Sequence, residues 1–86
     1  MTHLELLLAF IARASNATLY DVAEVAAAFS CGEAWKHGFR FGFFYGNGTD
    51  REDWLEDMGS KNRVESYFKG EACGITARKA FNSKFG

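Results

Sequence analysis

The stretch AWKHGFRFGFFYGNG, residues 34–48, decides the fold, because it fits two incompatible periodicities. Read in steps of two, it gives a strand with an aromatic face made of Phe39, Phe41, Phe43 and Tyr45. Read in steps of four, it gives a helix with a glycine stripe made of Gly38, Gly42 and Gly46. The first reading suggests a platform for stacking nucleic-acid bases, and the second a seam at which two helices pack closely.

The helical reading is favoured because a strand would lack partners. A lone strand or hairpin is marginal in water, and the rest of the chain offers only VESYF, residues 64–68, as a weak second strand. In a helix, Trp35, Phe39 and Phe43 follow one another on the side that carries Gly46. Three glycines cost about 1 kcal/mol each relative to alanine, and burying aromatic rings at about 2 to 3 kcal/mol apiece offsets that cost. We therefore predict a helix that depends on close packing.

The composition is that of one small globular domain. With 86 residues the chain can build a single core, and it is too apolar, at 48%, to be disordered. It has no proline to interrupt a helix, and runs such as VAEVAAAF favour helix. We predict an all-α fold, a compact single-domain bundle of about four to five helices over residues 1–86, with the glycine-striped aromatic helix at its centre.

Two amphipathic helices are predicted before the central one. Residues 2–15 place Leu4, Leu7, Leu8, Ile11 and Ala12 on one stripe. Glu5 precedes the apolar run, Arg13 interrupts it, and no Lys or Arg comes before it, so we expect a helix rather than an export signal. Thr18 and Asp21 resemble a capping box, which predicts a second helix from Leu19 with Val22, Val25, Ala26 and Phe29 facing inward.

Two more helices are predicted after it. In TDREDWLEDMG, residues 49–59, Thr49 and Glu52 form another capping pattern, with Trp54, Leu55 and Met58 inward and Gly59 as the stop. A last helix is predicted from about Lys61 to about Phe81, with a seam made of Val64, Phe68, Ala72 and Ile75.

The net charge of −1 hides an uneven distribution. Residues 49–59 carry five acidic and one basic side chain, and residues 60–86 carry six basic and two acidic ones. The acidic helix could imitate phosphates toward a basic partner, or could simply be a solvated, capped helix. The basic side chains could contact phosphates, or could be the solvated face of the last helix; they are Lys61, Arg63, Lys69, Arg78, Lys79 and Lys84.

Side chains suited to catalysis or metal binding are scattered. Cys31 and His37 are six residues apart, which is a poor spacing for two ligands on one helix, and His3 and Cys73 stand alone in the sequence. Glu33 and His37 are four apart, which is more typical of a surface hydrogen bond. We therefore predict reduced thiols, no catalytic residues, no metal site and no cofactor. No apolar run is long enough to span a membrane, and we expect a cytoplasmic protein.

Two segments resemble nucleic-acid-binding motifs. HGFRFGFF resembles the RNP1 motif of RNA-recognition domains at Gly38, Phe39, Phe41 and Phe43, although Arg40 and Gly42 depart from it. TLYDVAE, residues 18–24, resembles the first helix of the helix-turn-helix in LacI-type repressors. That resemblance implies a recognition helix carrying Lys36, His37 and Arg40, although aligning the turn requires an insertion at Phe29.

The chain as a whole resembles the small accessory proteins of T7-like tailed phages. The resemblance implies a non-enzymatic interaction module in the host cytoplasm that binds and inhibits or redirects a host protein or nucleoprotein complex. We expect the partner to be bound by Trp35, Arg40, Phe41, Phe44, Tyr45 and Trp54. The first alternative is a DNA-binding protein that uses Lys36, His37, Arg40, Lys61, Arg63, Lys69, Arg78 and Lys79. The second is a homo-oligomeric structural protein that assembles through the glycine stripe.

Overall fold

A computed structural model describes residues 2–46 and 61–86 of the chain. Within these residues there are four α-helices and no strand: α1 (His3–Arg13), α2 (Leu19–Ala27), α3 (Glu33–Arg40) and α4 (Lys61–Phe85). A π-helical segment, Phe41–Tyr45, continues α3 without a break. The predicted all-α bundle is confirmed. The acidic helix predicted over residues 49–59 lies outside the described residues.

The first two helices begin where side chains can replace missing backbone partners. The Thr2 hydroxyl accepts a hydrogen bond from the Glu5 amide at 3.1 Å, and the Glu5 carboxylate accepts one from the Thr2 amide at 3.2 Å. Thr18 and Asp21 form the same reciprocal pair at 3.3 and 2.8 Å. The predicted capping box and the predicted start of α2 at Leu19 are therefore confirmed. α1 ends at Arg13, two residues earlier than predicted.

The core lies between the α3–π helix and the other three helices. On the inner face of that helix, the rings of Trp35, Phe39 and Phe43 form one stack, with centroids 5.5 and 5.3 Å apart and planes within 13° of parallel. Side chains from every other helix close around this stack: Leu7, Ile11, Val22, Ala26, Cys73 and Ala77. The predicted aromatic side of the central helix is confirmed.

The opening stretch is thus helical, although it ends sooner than predicted. Gly46 has a φ of +83°, a conformation that glycine adopts without strain, and no atom lies near the position a Cβ would take there. The packed stripe consequently consists of Gly38 and Gly42, and its predicted extension to Gly46 is wrong. The resemblance to RNP1 is wrong as well, because that motif needs a strand, whereas Phe39 and Phe43 lie in the core of a helical bundle.

The glycine stripe packs against a second glycine pair on α4. A Cβ at Gly38 would overlap the carbonyl oxygen of Tyr67, and a Cβ at Gly42 would overlap that of Glu71. The relation is reciprocal: Gly70 and Gly74 of α4 abut the carbonyl groups of two residues in α3, namely Trp35 and Phe39. The two backbones are therefore in direct contact, and each glycine hydrogen points at a carbonyl oxygen, the geometry of a Cα–H···O interaction.

The seam predicted for the last helix is on the wrong face. Ala72 is exposed, Phe68 is 36% exposed, and Val64 and Ile75 are only half-buried. The inward face of α4 consists instead of Tyr67, Gly70, Glu71, Cys73, Gly74 and Ala77. The hydrophobic pattern predicted that the larger apolar side chains would face inward. Close contact between the two backbones instead requires the glycines of α4 to face α3. α4 also runs to Phe85 rather than Phe81.

The glycine seam is filled within one chain. Gly38 and Gly42 already have α4 against them, so assembly of a homo-oligomer through this stripe, as predicted, would require α4 to leave. A second copy would need another surface. Among the described residues, no helix combines the length and hydropathy needed to span a membrane.

Candidate binding surface

The surface aromatics lie on the π-helical segment and around it. Tyr45 is 72% exposed, while Phe41 and Phe44 are half-buried. On α2, Tyr20 is 75% exposed, and its ring centroid lies 6.0 Å from that of Phe44. We call this set, together with Phe68 of α4, the aromatic surface; its members are Tyr20, Phe41, Phe44, Tyr45 and Phe68.

The exposed rings rest on rings that are fixed in the core. Phe44 meets the buried ring of Phe43 edge-on at 5.3 Å. Phe41 lies 6.1 Å from both Tyr45 and the fully buried Tyr67. Each half-buried ring is thus in contact with the core on one side and with an exposed tyrosine on the other. The aromatic surface is consequently a continuation of the core packing.

Two tryptophans were predicted to contact the partner. Trp35 is 8% exposed and belongs to the core stack, so its ring packs inside the bundle rather than on its outer face. Its ring contacts those of His3, Phe29 and Phe39. Trp54 lies outside the described residues. Arg40, at the end of α3, is exposed beside the π-helical segment.

The cations predicted to read DNA from α3 lie along one groove. It runs between α2 and α3, has a volume of about 220 Å³, and has a floor of small and aromatic side chains that includes Ala23, Ala26 and Phe39. Its rim carries Lys36, His37 and Arg40 together with Glu33. The imidazole Nε2 of His37 lies 3.9 Å from a Glu33 carboxylate oxygen, which is longer than the predicted hydrogen bond.

The basic residues of α4 do not form one uniform face. The Arg78 guanidinium donates to the carbonyl oxygen of Phe43 at 2.8 Å and to the Asn82 side chain at 3.1 Å. The Lys84 ammonium donates to the carbonyl oxygen of Ile11 at 2.9 Å and also to that of Ala12. These two cations thus occupy helix C-termini, where they complement the helix dipole. Three others are exposed on α4, which begins at Lys61: Arg63, Lys69 and Lys79.

One contact joins two residues that the sequence keeps apart. The Cys31 sulfur lies 3.3 Å from Nδ1 of His3, a residue 28 positions away. The His3 ring stacks on Phe29 at 4.7 Å and meets the edge of Trp35 at 5.7 Å. Both cysteines are free. Burial raises the pKa of the Cys31 thiol, and the nearby Lys36 ammonium opposes that effect.

Two features of these surfaces were missed at the level of sequence. Tyr20 carries a readable signal: Val22 and Ala26 face the core, which turns a residue two positions before Val22 toward the outside of α2. The His3–Cys31 contact has no such signal in the sequence, because it depends on how the start of α1 packs against the start of α3. Within residues 2–46 and 61–86, no three His, Cys, Asp or Glu side chains are grouped as metal ligands.

The part of α2–α3 that resembles a helix-turn-helix has a connection of five residues, 28–32, between its helices. Lys36, His37 and Arg40, the residues predicted for the recognition helix, line the groove between α2 and α3. Beyond such local resemblance, no protein-family model, no curated protein and no solved structure matches this chain.

Proposed function

We propose that this protein is a small, non-enzymatic helical module that binds a protein partner through its aromatic surface. The observation that carries the proposal is the exposure of Tyr20 and Tyr45, at 75% and 72%, each with its ring close to a half-buried phenylalanine, Phe44 and Phe41 respectively. Tyrosine is enriched at interface hot spots because it offers a large ring and a polar hydroxyl at low conformational cost. Two such rings, each beside a half-buried ring, are therefore suited to anchoring a partner.

The backbone that carries the rings of the π-helical segment is preorganised for binding. Gly42 and Phe43, in the middle of the π-helical segment, are buried against α4 and the core. The Arg78 guanidinium binds the Phe43 carbonyl and lies 5.8 Å from the centre of its ring. A surface fixed in this way loses little conformational entropy when a partner binds, which favours affinity. Single-turn π-helices are also frequent at functional sites.

The resemblance to accessory proteins of T7-like phages suggests what the partner is. It implies a host protein or nucleoprotein complex, met in the host cytoplasm and inhibited or redirected by occupancy of its surface. Arg40, exposed at the end of α3, would add a cation beside the rings. Arginine and tyrosine together are the residue types that dominate the energetics of protein interfaces.

The test is a comparison of matched surface variants. The tagged chain, with wild-type sequence, Tyr20→Ser or Tyr45→Ser, is used to capture proteins from bacterial lysate, and the affinity of the recovered partner is then measured with purified components. Loss of one anchoring ring should weaken binding by about tenfold or more. Leu6→Ser is the control, because Leu6 is a 40% exposed apolar residue on α1. Equal affinity for the wild type and both tyrosine variants would contradict the proposal.

A second candidate function is DNA binding through the groove between α2 and α3. It is favoured by one observation, the alignment of Lys36, His37 and Arg40 along the rim of that groove. Phosphate contacts made by these cations predict an affinity that falls steeply with salt. Lys36→Met and Arg40→Met should each weaken DNA binding and make the affinity for DNA less dependent on salt concentration. A gel shift that detects no DNA binding even at low salt would exclude this function.

A further inference from the structure

The contact between His3 and Cys31 has the geometry of a base beside a nucleophile. The thiol sulfur lies 3.3 Å from Nδ1 of the imidazole, within the reach of a sulfur hydrogen bond. The ring is held by its stacking on Phe29 and by the edge of Trp35. A nucleophile next to a base, with the base oriented by a third group, is the arrangement by which proteins activate weak nucleophiles.

The surroundings of Cys31 explain why a base would matter. Burial raises the pKa of this thiol, so little thiolate exists at neutral pH without help. Lys36 favours the thiolate, as does the N-terminus of α3, since Cys31 directly precedes the N-cap residue Gly32, which has no side chain to cap the helix. An imidazole that accepts the thiol proton supplies the thiolate, which is the attacking nucleophile.

Cys31 and Cys73 differ in how accessible their thiols are to solvent. Cys31 is half-buried and His3 is exposed, so a small molecule can approach the sulfur from solvent. Cys73 is 8% exposed and lies in the core, where burial, followed by the negative charge that Cys31 would carry, raises its pKa to about 11. The chain thus contains one thiol with access and a base, and a second thiol that serves as an internal reference.

We propose that Cys31 is a modification site that forms a mixed disulfide with one half of a low-molecular-weight disulfide, with His3 as the base. The thiol proton passes to Nδ1 of His3, and the Cys31 thiolate attacks one sulfur of the reagent disulfide. The reagent S–S bond breaks, and a mixed disulfide forms at Cys31. The released thiolate leaves with the electron pair and takes up the proton. Cys31 is oxidised to the disulfide level, and the departing half of the reagent is reduced to a thiol.

The test uses oxidised glutathione as the reagent and the folded, full-length chain. Mass spectrometry after quenching should find one glutathionyl group, located on Cys31, and Cys31→Ser should remove it. His3→Ala should slow the modification by about tenfold or more, and imidazole added to the buffer should restore part of the rate. Far-UV circular dichroism and the thermal midpoint establish that each variant is folded.

Three results would overturn the proposal. The first is a rate at Cys31 that is the same with and without His3. The second is a slower His3→Ala reaction that imidazole does not rescue, which would assign His3 a purely structural part. The third is modification of Cys73 in preference to Cys31 in the native protein.

Discussion

Gly38 of α3 lies directly against the main-chain carbonyl of Tyr67 in α4, and a Cβ at position 38 would come within 2.9 Å of the carbonyl carbon. The same contact occurs in reverse, because Gly70 of α4 lies against the carbonyl of Trp35. Both helices carry the same short pattern, an aromatic residue followed at the third position by glycine and at the seventh by a second glycine. The bundle is therefore centred on a nearly symmetric crossing of two backbones.

Gly38→Ala should destabilise the fold, although alanine is the better helix former. Alanine in a helix is favoured by about 1 kcal/mol over glycine, but here its methyl group would have to push α4 away from α3. Overpacking of this kind costs about 2 to 3 kcal/mol net, and Gly70→Ala should behave alike. Urea unfolding followed by circular dichroism measures the change in the free energy of unfolding.

The matched control is Gly32→Ala. Gly32 has a φ of −68° and open space around it, so only a modest loss at the N-cap of α3, about 1 kcal/mol or less, is expected. If Gly38→Ala were as stable as the wild type, close contact at the seam would not be what holds the two helices together.

Local signals in the sequence predicted the helices, whereas the face that each one buries was harder to derive. The capping box of Thr18 and Asp21 and the helical period of the aromatic rings need only neighbouring residues, and both predictions are confirmed. The inward face of α4 depends on partners 29 and 35 positions away, where Gly38 meets the Tyr67 carbonyl and the Trp35 carbonyl meets Gly70. Hydrophobicity alone selected the wrong face.

Tyr67 and Phe68 provide a direct test of which face of α4 is buried. Tyr67 is fully buried and Phe68 is 36% exposed, with their rings edge-to-face at 6.0 Å. Tyr67→Ala should cost about 3 to 5 kcal/mol, because it removes a large ring from the seam. Phe68→Ala should cost less than about half of that. Thermal unfolding of the two variants measures the difference in stability. A larger loss of stability in Phe68→Ala than in Tyr67→Ala would mean that the face of α4 that carries Phe68 is the buried one.

For the candidate site, too, some positions could be predicted from the sequence and others could not. Tyr45 was predicted to lie off the packed side and is exposed, because its position follows from the period of its own helix. Trp35 was assigned to the partner-binding surface but lies in the core, on the same side of the helix as Phe39 and Phe43, which the helical period had also predicted for it. The contact between His3 and Cys31 joins the starts of two helices and has no local signature.

Arg78 and Lys79 are adjacent cations that should respond differently to the same change. Arg78→Met removes the hydrogen bond to the Phe43 carbonyl and the cation over the Phe43 ring, and should cost about 1 to 2 kcal/mol. Lys79 is exposed, and Lys79→Met should change stability by less than about 0.5 kcal/mol. Denaturant midpoints measured side by side test this, and equal effects would mean that Arg78 does not stabilise the end of the π-helical segment.

Cys73 should make the fold less stable in alkaline solution. Its pKa in the native protein is raised from 9.0 to about 11, first by burial and then by the charge on Cys31. The native state therefore keeps its proton at a pH where the unfolded chain releases it, so stability is fully present below pH 9 and is lost as the pH rises toward 11. Lysines and tyrosines also titrate in this range, which makes a comparison with Cys73→Ala necessary.

In that comparison, wild type and Cys73→Ala share every other titrating group. The free energy of unfolding of the wild type should fall more steeply between pH 9 and 11 than that of Cys73→Ala. The Cys31→Ser variant should show only part of this reduction in slope, because burial contributes more than the Cys31 charge to the raised pKa of Cys73. Urea unfolding at intervals across this range, under reducing conditions, provides the measurement. Parallel curves for wild type and Cys73→Ala would mean that the Cys73 thiol titrates in the folded protein as it does in the unfolded chain.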